Sequence, residues 1–156
     1  MLTIELVEIK GDLAAELCRV ITANLPEYFG IEEANEQYFA GVKTCTNFAA
    51  KLASNYIGLI SVNFPYPNNA NIYWLGVIKD YQKQGIGKKL IQAATDFVLN
   101  KNAQTITVET LAATENDQNY LKTYDFYKAV GFMPLFNLKP DSYEWNMVYM
   151  VKLLNR

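Results

Sequence analysis

The stretch from Trp74 to Val98, W-L-G-V-I-K-D-Y-Q-K-Q-G-I-G-K-K-L-I-Q-A-A-T-D-F-V, leaves the chain few folds to choose from. It begins as an apolar strand and crosses a short polar turn holding Gly85 and Gly87. It then becomes a helix in which Ile86, Leu90, Ala93, Ala94 and Phe97 recur every three or four residues. A strand that enters a helix through a glycine turn makes an anion site. The first helical turn carries unpaired backbone N–H groups and the positive end of the helix dipole. Gly85 and Gly87 are the positions where a phosphate can approach that backbone closely.

The common phosphate motifs do not fit the string. A P-loop needs G-x-x-x-x-G-K-[S/T], which is absent. A dinucleotide fingerprint needs a third glycine three residues after Gly87, where Leu90 stands. What remains is Q-x-x-G-x-G at Gln82 to Gly87, after L-G-V and before K-K-L. This resembles the coenzyme-A-binding motif of the GNAT superfamily of N-acetyltransferases. The resemblance implies that the backbone amides of Lys83, Gln84, Gly85, Ile86, Gly87 and Lys88 hold the pyrophosphate of acetyl-CoA, with Gln82 leading the loop. Lys88 and Lys89 read either as added charge at the phosphates or as solvated first-turn lysines.

Composition narrows the remaining classes. With 156 residues, 51% of them hydrophobic, the chain is long enough to bury a core and reads as one domain over 1–156. A net charge of −2 offers no broad basic field, so neither nucleic acid nor an anionic membrane is expected as a partner. The two cysteines, Cys18 and Cys45, stand in no metal or redox spacing and suit a reduced, cytoplasmic setting. The chain has no histidine, which removes Ser-His and Cys-His catalysis and most zinc sites. No metal is expected. No run approaches the roughly 18 apolar residues of a membrane span. A basic-then-apolar leader pattern is also absent.

In chain order, Leu2, Ile4 and Leu6 alternate with Thr3, Glu5 and Val7 as in a half-buried strand. A helix with Leu13, Leu17, Val20 and Ile21 on its stripe follows and stops at Pro26. A loop carrying Tyr28 and Phe29 leads to a second helix with Ile31, Ala34, Tyr38, Phe39 and Val42 inward. Phe48 to Leu52 and Tyr56 to Phe64 flank Ser54-Asn55 as a hairpin, and Pro65 to Asn69 turns into the strand Ala70 to Ile78. The β-branched run Thr105 to Leu111 predicts a buried strand. The last helix carries Tyr120, Tyr124 and Tyr127 and ends at Gly131, and Phe132 to Leu138 and Glu144 to Leu153 close the fold as strands. The expected architecture is α/β (α+β): one mixed central sheet of six to seven strands, antiparallel in its N-terminal part, with about four helices packed on it.

A second motif reinforces the first. Y-K-A-V-G-F at Tyr127 to Phe132 matches the Y-x-x-x-G-F ending of the GNAT pattern and falls forty residues after Gly87. The resemblance further implies that the glycine-helix strand splays from the next one and that pantetheine lies in the gap. Many relatives place an asparagine seven residues before that tyrosine; this chain has Tyr120 there, with Asn119 beside it and Thr123 at the usual alanine. Asn119 and Thr123 are therefore the pantetheine-contact candidates.

Direct acetyl transfer sets three tasks. The developing oxyanion needs a fixed donor, which a backbone N–H near Leu75, Gly76 or Val77 supplies if pairing with the neighbouring strand is locally broken, and Gly76 would ease such a bulge. The leaving sulfur needs a proton, and by resemblance Tyr127 donates it; a tyrosine keeps its proton at neutral pH. The amine must lose one. No carboxylate occurs between Tyr56 and Lys79, so Glu109 on the following strand is the candidate base, with bulk water as the alternative. Tyr28 and Phe29, with Glu27, Glu32, Glu33 and Glu36 nearby, border the acceptor side in GNAT-like folds and are candidates for an amine site. Loop packing and a solvated helix face are the plainer explanations. Phe136, Tyr143 and Trp145 wall the same side or simply pack.

The sequence thus points to an acetyl-CoA-dependent N-acetyltransferase acting on a primary amine of a small molecule, peptide or protein. A competing class is an acyl-CoA-binding module without transfer. A nucleotide-dependent phosphotransferase lacks both the P-loop and a carboxylate set for a metal. A homodimer is possible on this scaffold, and the acceptor is not named by any motif.

Overall fold

A computed structural model describes residues 3–154; the alternation at Leu2 lies outside the described residues. The chain forms β1 (Ile4–Ile9), α1 (Gly11–Asn24), α2 (Glu32–Val42), β2 (Thr46–Leu52), β3 (Asn55–Tyr66) and β4 (Asn69–Val77). These are followed by α3 (Ile86–Asn100), β5 (Thr105–Leu111), α4 (Gln118–Ala129), β6 (Met133–Leu138) and β7 (Met147–Leu153). Short 3-10 turns occupy Lys79–Tyr81 and Ala113–Glu115. The expected mixed sheet is present, with seven strands in the order β1-β2-β3-β4-β5-β7-β6.

The strands β1 to β4 form an antiparallel meander, and β7 inserts antiparallel between β5 and the edge strand β6. Among the described residues only β4 and β5 run parallel. A parallel neighbour needs a crossover, and the apolar stripe of α3 supplies it by burying Ile86, Leu90, Ile91, Ala94 and Val98 on the sheet. One core lies under α3 and α4, with Ile60, Val62, Ile72, Ile106, Val108 and Tyr127 among its members. A second lies under α1 and α2, built from Ala14, Leu17, Cys18, Ile21, Phe39, Leu59 and Trp74.

Three stripes differ from expectation; in α2 Phe39 and Val42 are buried, but Ile31 stands at the N-cap and is 53% exposed. In α1 the buried row is Ala14, Leu17, Cys18 and Ile21, whereas Leu13 and Val20 are 37% and 54% exposed. The small residues let the helix lie close to the sheet and turn the larger ones outward. In α4 only Tyr127 of the three tyrosines is buried, because Tyr120 turns toward the loop after α1. Gly131 has φ of 103°, the left-handed conformation that ends such a helix.

The feature that shapes the site is an interruption in the middle of the sheet. Ser61 pairs with Trp74 and Val62 with Ile72, so Tyr73 has no partner on β3. This bulge turns Ile72 into the α3/α4 core and Trp74 into the α1/α2 core. The β4–β5 ladder covers Asn69↔Thr105 to Ile72↔Val108 and stops there. Beyond it β4 stays with β3 and β5 stays with β7. A gap opens between them, as the splayed centre requires. Gly76 does not create the bulge: it sits in register opposite Leu59, and a side chain there would run into the Trp74 indole and Ile21. Its role is to make room for that indole.

Candidate functional site

The loop after β4 is held from within. The Ile78 N–H donates to the Ile57 carbonyl at 2.9 Å, the Gln82 amide donates to the Val77 carbonyl at 3.0 Å, and the Gln84 amide donates to the Asp80 carbonyl at 3.3 Å. Gln82 therefore ties down the end of β4. Lys83 and Gly85 both have positive φ, 62° and 82°. Such a backbone turns successive N–H groups into one concavity, an anion-binding nest. The helix then starts at Ile86 without a side-chain cap.

The two glycines differ in what surrounds them. A Cβ on Gly85 would meet nothing within 4 Å, so its outer face is free for a ligand and its φ demands glycine. A Cβ on Gly87 would lie 3.1 and 3.2 Å from the Phe126 ring. Gly87 is thus a packing contact between α3 and α4, correcting the expectation that its side is open to a phosphate. The side chains of Lys83, Gln84 and Lys88 are exposed at the rim. An uncapped helix start, a nest and an open glycine face together fit a pyrophosphate group.

The gap beside this loop presents backbone donors. The Ile78 N–H points to β3. Because hydrogen-bonding direction alternates along a strand, the Gly76 N–H also points to β3, while those of Leu75 and Val77 face the gap. Two N–H groups with no strand to receive them are what an oxyanion needs.

The two catalytic candidates lie on opposite faces of the sheet. Tyr127 belongs to the α3/α4 core, is 5% exposed, and sets its ring edge against Phe126 and Phe132 at 5.4 and 5.5 Å. Burial pushes its hydroxyl well above the ordinary tyrosine range, so it stays a proton donor at neutral pH. Ile106 and Val108 point into the same core, so Glu109 points to the other face by strand alternation. There it stands across from Tyr149 on β7. Burial, then hydrogen bonding to the Glu109 carboxylate, pushes Tyr149 up to about 12. Among the described residues Glu109 has no cationic partner within 4 Å.

Aromatic rings dominate the Glu109 face. Phe29 stacks on Trp74 at 5.4 Å and meets Tyr38 at 6.1 Å; Tyr38 meets Tyr73 at 6.4 Å; Phe136 stacks on Tyr149 at 5.0 Å. Burial first, then the neighbouring Tyr143, Tyr73 and Glu109, pushes Tyr38 up to about 12. Phe29 is therefore an inward anchor. Tyr28 faces α4 across the Tyr120 ring; burial first, then Glu27 and Asp117, raises its hydroxyl above the ordinary tyrosine range, partly offset by the neighbouring Thr123 side chain. Thr123 lies beside the Tyr28 hydroxyl, and Asn119 gives its backbone N–H to the capping Asp117 at 3.0 Å. Of the acidic cluster, Glu27 pairs with Lys79 at 3.5 Å and Glu36 with Arg19 at 3.4 Å, while Glu32 and Glu33 sit exposed in the first turn of α2. Phe136, Tyr143 and Trp145 are exposed along the outer side.

Tyr38 was legible only as a stripe residue, and neither Tyr73 nor Tyr149 stood out at all. Tyr73 becomes a site residue only through the bulge, and Tyr149 only through the strand order. Cys18 and Cys45 are free thiols pushed up to about 12 and about 11 by burial, which suits packing and not nucleophilic attack. Among the described residues no group of three or more acidic, cysteine or histidine side chains could hold a metal ion. No described helix is long and apolar enough to cross a membrane.

The family model described as "Acetyltransferase (GNAT) family" matches residues 14–132. The chain is 28% identical over 121 residues to N-alpha-acetyltransferase 30 of Schizosaccharomyces pombe, covering 75% of each. The structure of the ribosomal-protein-S18-alanine N-acetyltransferase from Escherichia coli superposes with a TM-score of 0.78 at 14% identity, over 99% of this chain and 96% of that one. A GNAT family acetyltransferase from Elizabethkingia anophelis with acetyl-CoA bound superposes with a TM-score of 0.70 at 16% identity, over 97% and 98% of the two chains.

Proposed function

Since this chain belongs to the acetyltransferase (GNAT) family, we propose that it is an N-acetyltransferase in which a primary amine attacks acetyl-CoA directly within a ternary complex. The observation that carries the reading is the gap that opens where the β4–β5 ladder stops, between the nest at 82–87 and the Glu109 face. Bound acetyl-CoA supplies an acyl thioester, an electrophile that needs no metal.

The residues divide the work by face. Main-chain amides from Lys83 to Lys88 hold the pyrophosphate against the start of α3, and Gln82 fixes the end of β4 through Val77. The Leu75 and Val77 N–H groups stabilise charge on the carbonyl oxygen. They are already pointed at the gap, so no rearrangement is required when that charge develops. Tyr127, protonated because it is buried, donates to the departing sulfur from the α3/α4 side. Glu109 accepts the proton of the amine from the opposite side, directly or through a water. Acid and base on opposite faces cannot neutralise each other. The acceptor is the primary amine of a small molecule, peptide or protein, entering over Tyr38, Tyr73 and Tyr149.

The test combines calorimetric titration of acetyl-CoA with detection of free thiol over a panel of amines and peptide N-termini. Micromolar binding with transfer to at least one acceptor supports the reading. Tight binding with no transfer to any amine would make the chain an acyl-CoA-binding module.

A further inference from the structure

The sequence departs from its family pattern at Tyr120, and the structure shows what that residue touches. Its hydroxyl donates to the Tyr28 backbone carbonyl at 2.6 Å, a contact between residues 92 apart in the chain. The two rings meet edge to face at 5.5 Å and 73°. The start of α4 is fixed so that Tyr120 points this way, because the Asp117 carboxylate caps it by accepting from the N–H groups of Asn119 and Tyr120 at 3.0 and 3.1 Å. One turn on, the Thr123 side chain lies beside the Tyr28 hydroxyl. Tyr28 is thus gripped by its carbonyl and its ring.

The same stretch reaches the other loop that flanks the Glu109 face. The Glu115 carboxylate accepts from the backbone N–H of Asn146 at 3.0 Å and from its amide at 3.4 Å, and the Ala112 N–H donates to the Asn146 carbonyl at 2.9 Å. Residues 112–123 therefore pin both loops, 25–31 and 139–146. On its other side α4 presses Phe126 against Gly87 of the cofactor loop. It stands between the two binding regions and touches each.

We propose that Tyr120 is a positioning residue for the acceptor: by clamping Tyr28 it holds the 25–31 loop as a fixed wall of the amine site. A tyrosine committed across the mouth in this way serves the acceptor loop and not the pantetheine arm. The assignment rests on the acetyltransferase reading for its kinetic arm and on geometry alone for its structural arm.

Tyr120→Phe removes the hydroxyl and keeps the ring, so the fold survives while the hydrogen bond is lost. The expected result is a rise of about fivefold in the KM for the amine, the size one part-buried hydrogen bond carries. The kcat and the Kd for acetyl-CoA should stay within twofold. Tyr120→Asn, which removes ring and hydroxyl together, should raise the amine KM further. An unchanged amine KM in both variants, or a loss confined to acetyl-CoA affinity, overturns the proposal. Hydrogen–deuterium exchange of amides 25–31 in the free protein provides a readout independent of turnover. Faster exchange in Tyr120→Phe supports the clamp and equal exchange rejects it, even if the wild-type protein transfers to no amine and the acetyltransferase reading itself fails.

Discussion

Two glycines of one motif should respond to the same substitution in different ways. Gly85 has φ of 82°, and a methyl there meets nothing within 4 Å. An alanine at that φ is strained by about 1–2 kcal/mol, the penalty for an L-residue in left-handed backbone. The strain is relieved if the free loop relaxes out of the nest, and binding must then restore it, which converts to a rise of roughly five- to thirtyfold in the Kd for acetyl-CoA. The added methyl also projects from the face where the phosphate approaches. Gly87 is helical, and alanine there favours the helix by about 0.5–1 kcal/mol. Its methyl must push the Phe126 ring, 3.1 Å away, by a few tenths of an ångström. The two effects nearly cancel, and the N–H that faces the ligand is kept. Gly87→Ala should therefore bind acetyl-CoA within about threefold of wild type with little change in urea midpoint, while Gly85→Ala loses affinity. Titration calorimetry and urea denaturation on both variants decide it. Equal affinities, or a larger loss at Gly87, would show that the anion is not held at the nest.

Tyr127→Phe should lower kcat at least tenfold with acetyl-CoA affinity unchanged in single-turnover and titration experiments; equal activity would return Tyr127 to a packing role. Glu109→Gln should lower kcat/KM most at low pH and least at high pH, where the amine already arrives neutral, and a loss independent of pH would remove Glu109 as the base. Gly76→Ala should destabilise the fold by about 1–3 kcal/mol through overlap with Trp74 and Ile21, read as a lower thermal midpoint. Folding stability should fall as pH rises from about 10 toward 12: tyrosines ionise near 10 in the unfolded chain, whereas burial keeps Tyr38 and Tyr149 protonated up to about 12. Chemical denaturation across that window checks the sign.

Much of the fold was legible because its signals are local. The run Thr105 to Leu111 appears as β5 with the same bounds, and the stripe from Ile86 to Phe97 lies on α3, Ile86–Asn100. The glycine turn announced the left-handed backbone at Gly85 that opens α3. What could not be read was set by pairing between distant segments. Nothing in N-I-Y-W-L-G-V says that Tyr73 is skipped by β3; the bulge follows from fitting Ile72 to one core and Trp74 to the other. Gly76 looked like the bulge residue because glycine permits one, but its neighbour two positions back needed the space. Gly87 looked open because the ring that fills its side comes from α4, 39 residues away in the chain.

The same dependence on distant pairing explains why the catalytic candidates are divided as they are. A continuous β4–β5 ladder would satisfy the Leu75 and Val77 N–H groups and shut off one face from the other. Stopping the ladder at Ile72 and Val108 leaves those donors free. It also places Glu109, the next residue of β5, at the edge of the opening on the aromatic face, while Tyr127 waits on the other side. On the proposed mechanism, this one interruption would supply the oxyanion donors, the passage through the sheet and the separation of acid from base. A change that restored regular pairing past Tyr73 should remove all three together, and because alternation would then carry Ile72 and Trp74 to one face it should also take Trp74 out of the α1/α2 core, so activity and thermal midpoint should fall together.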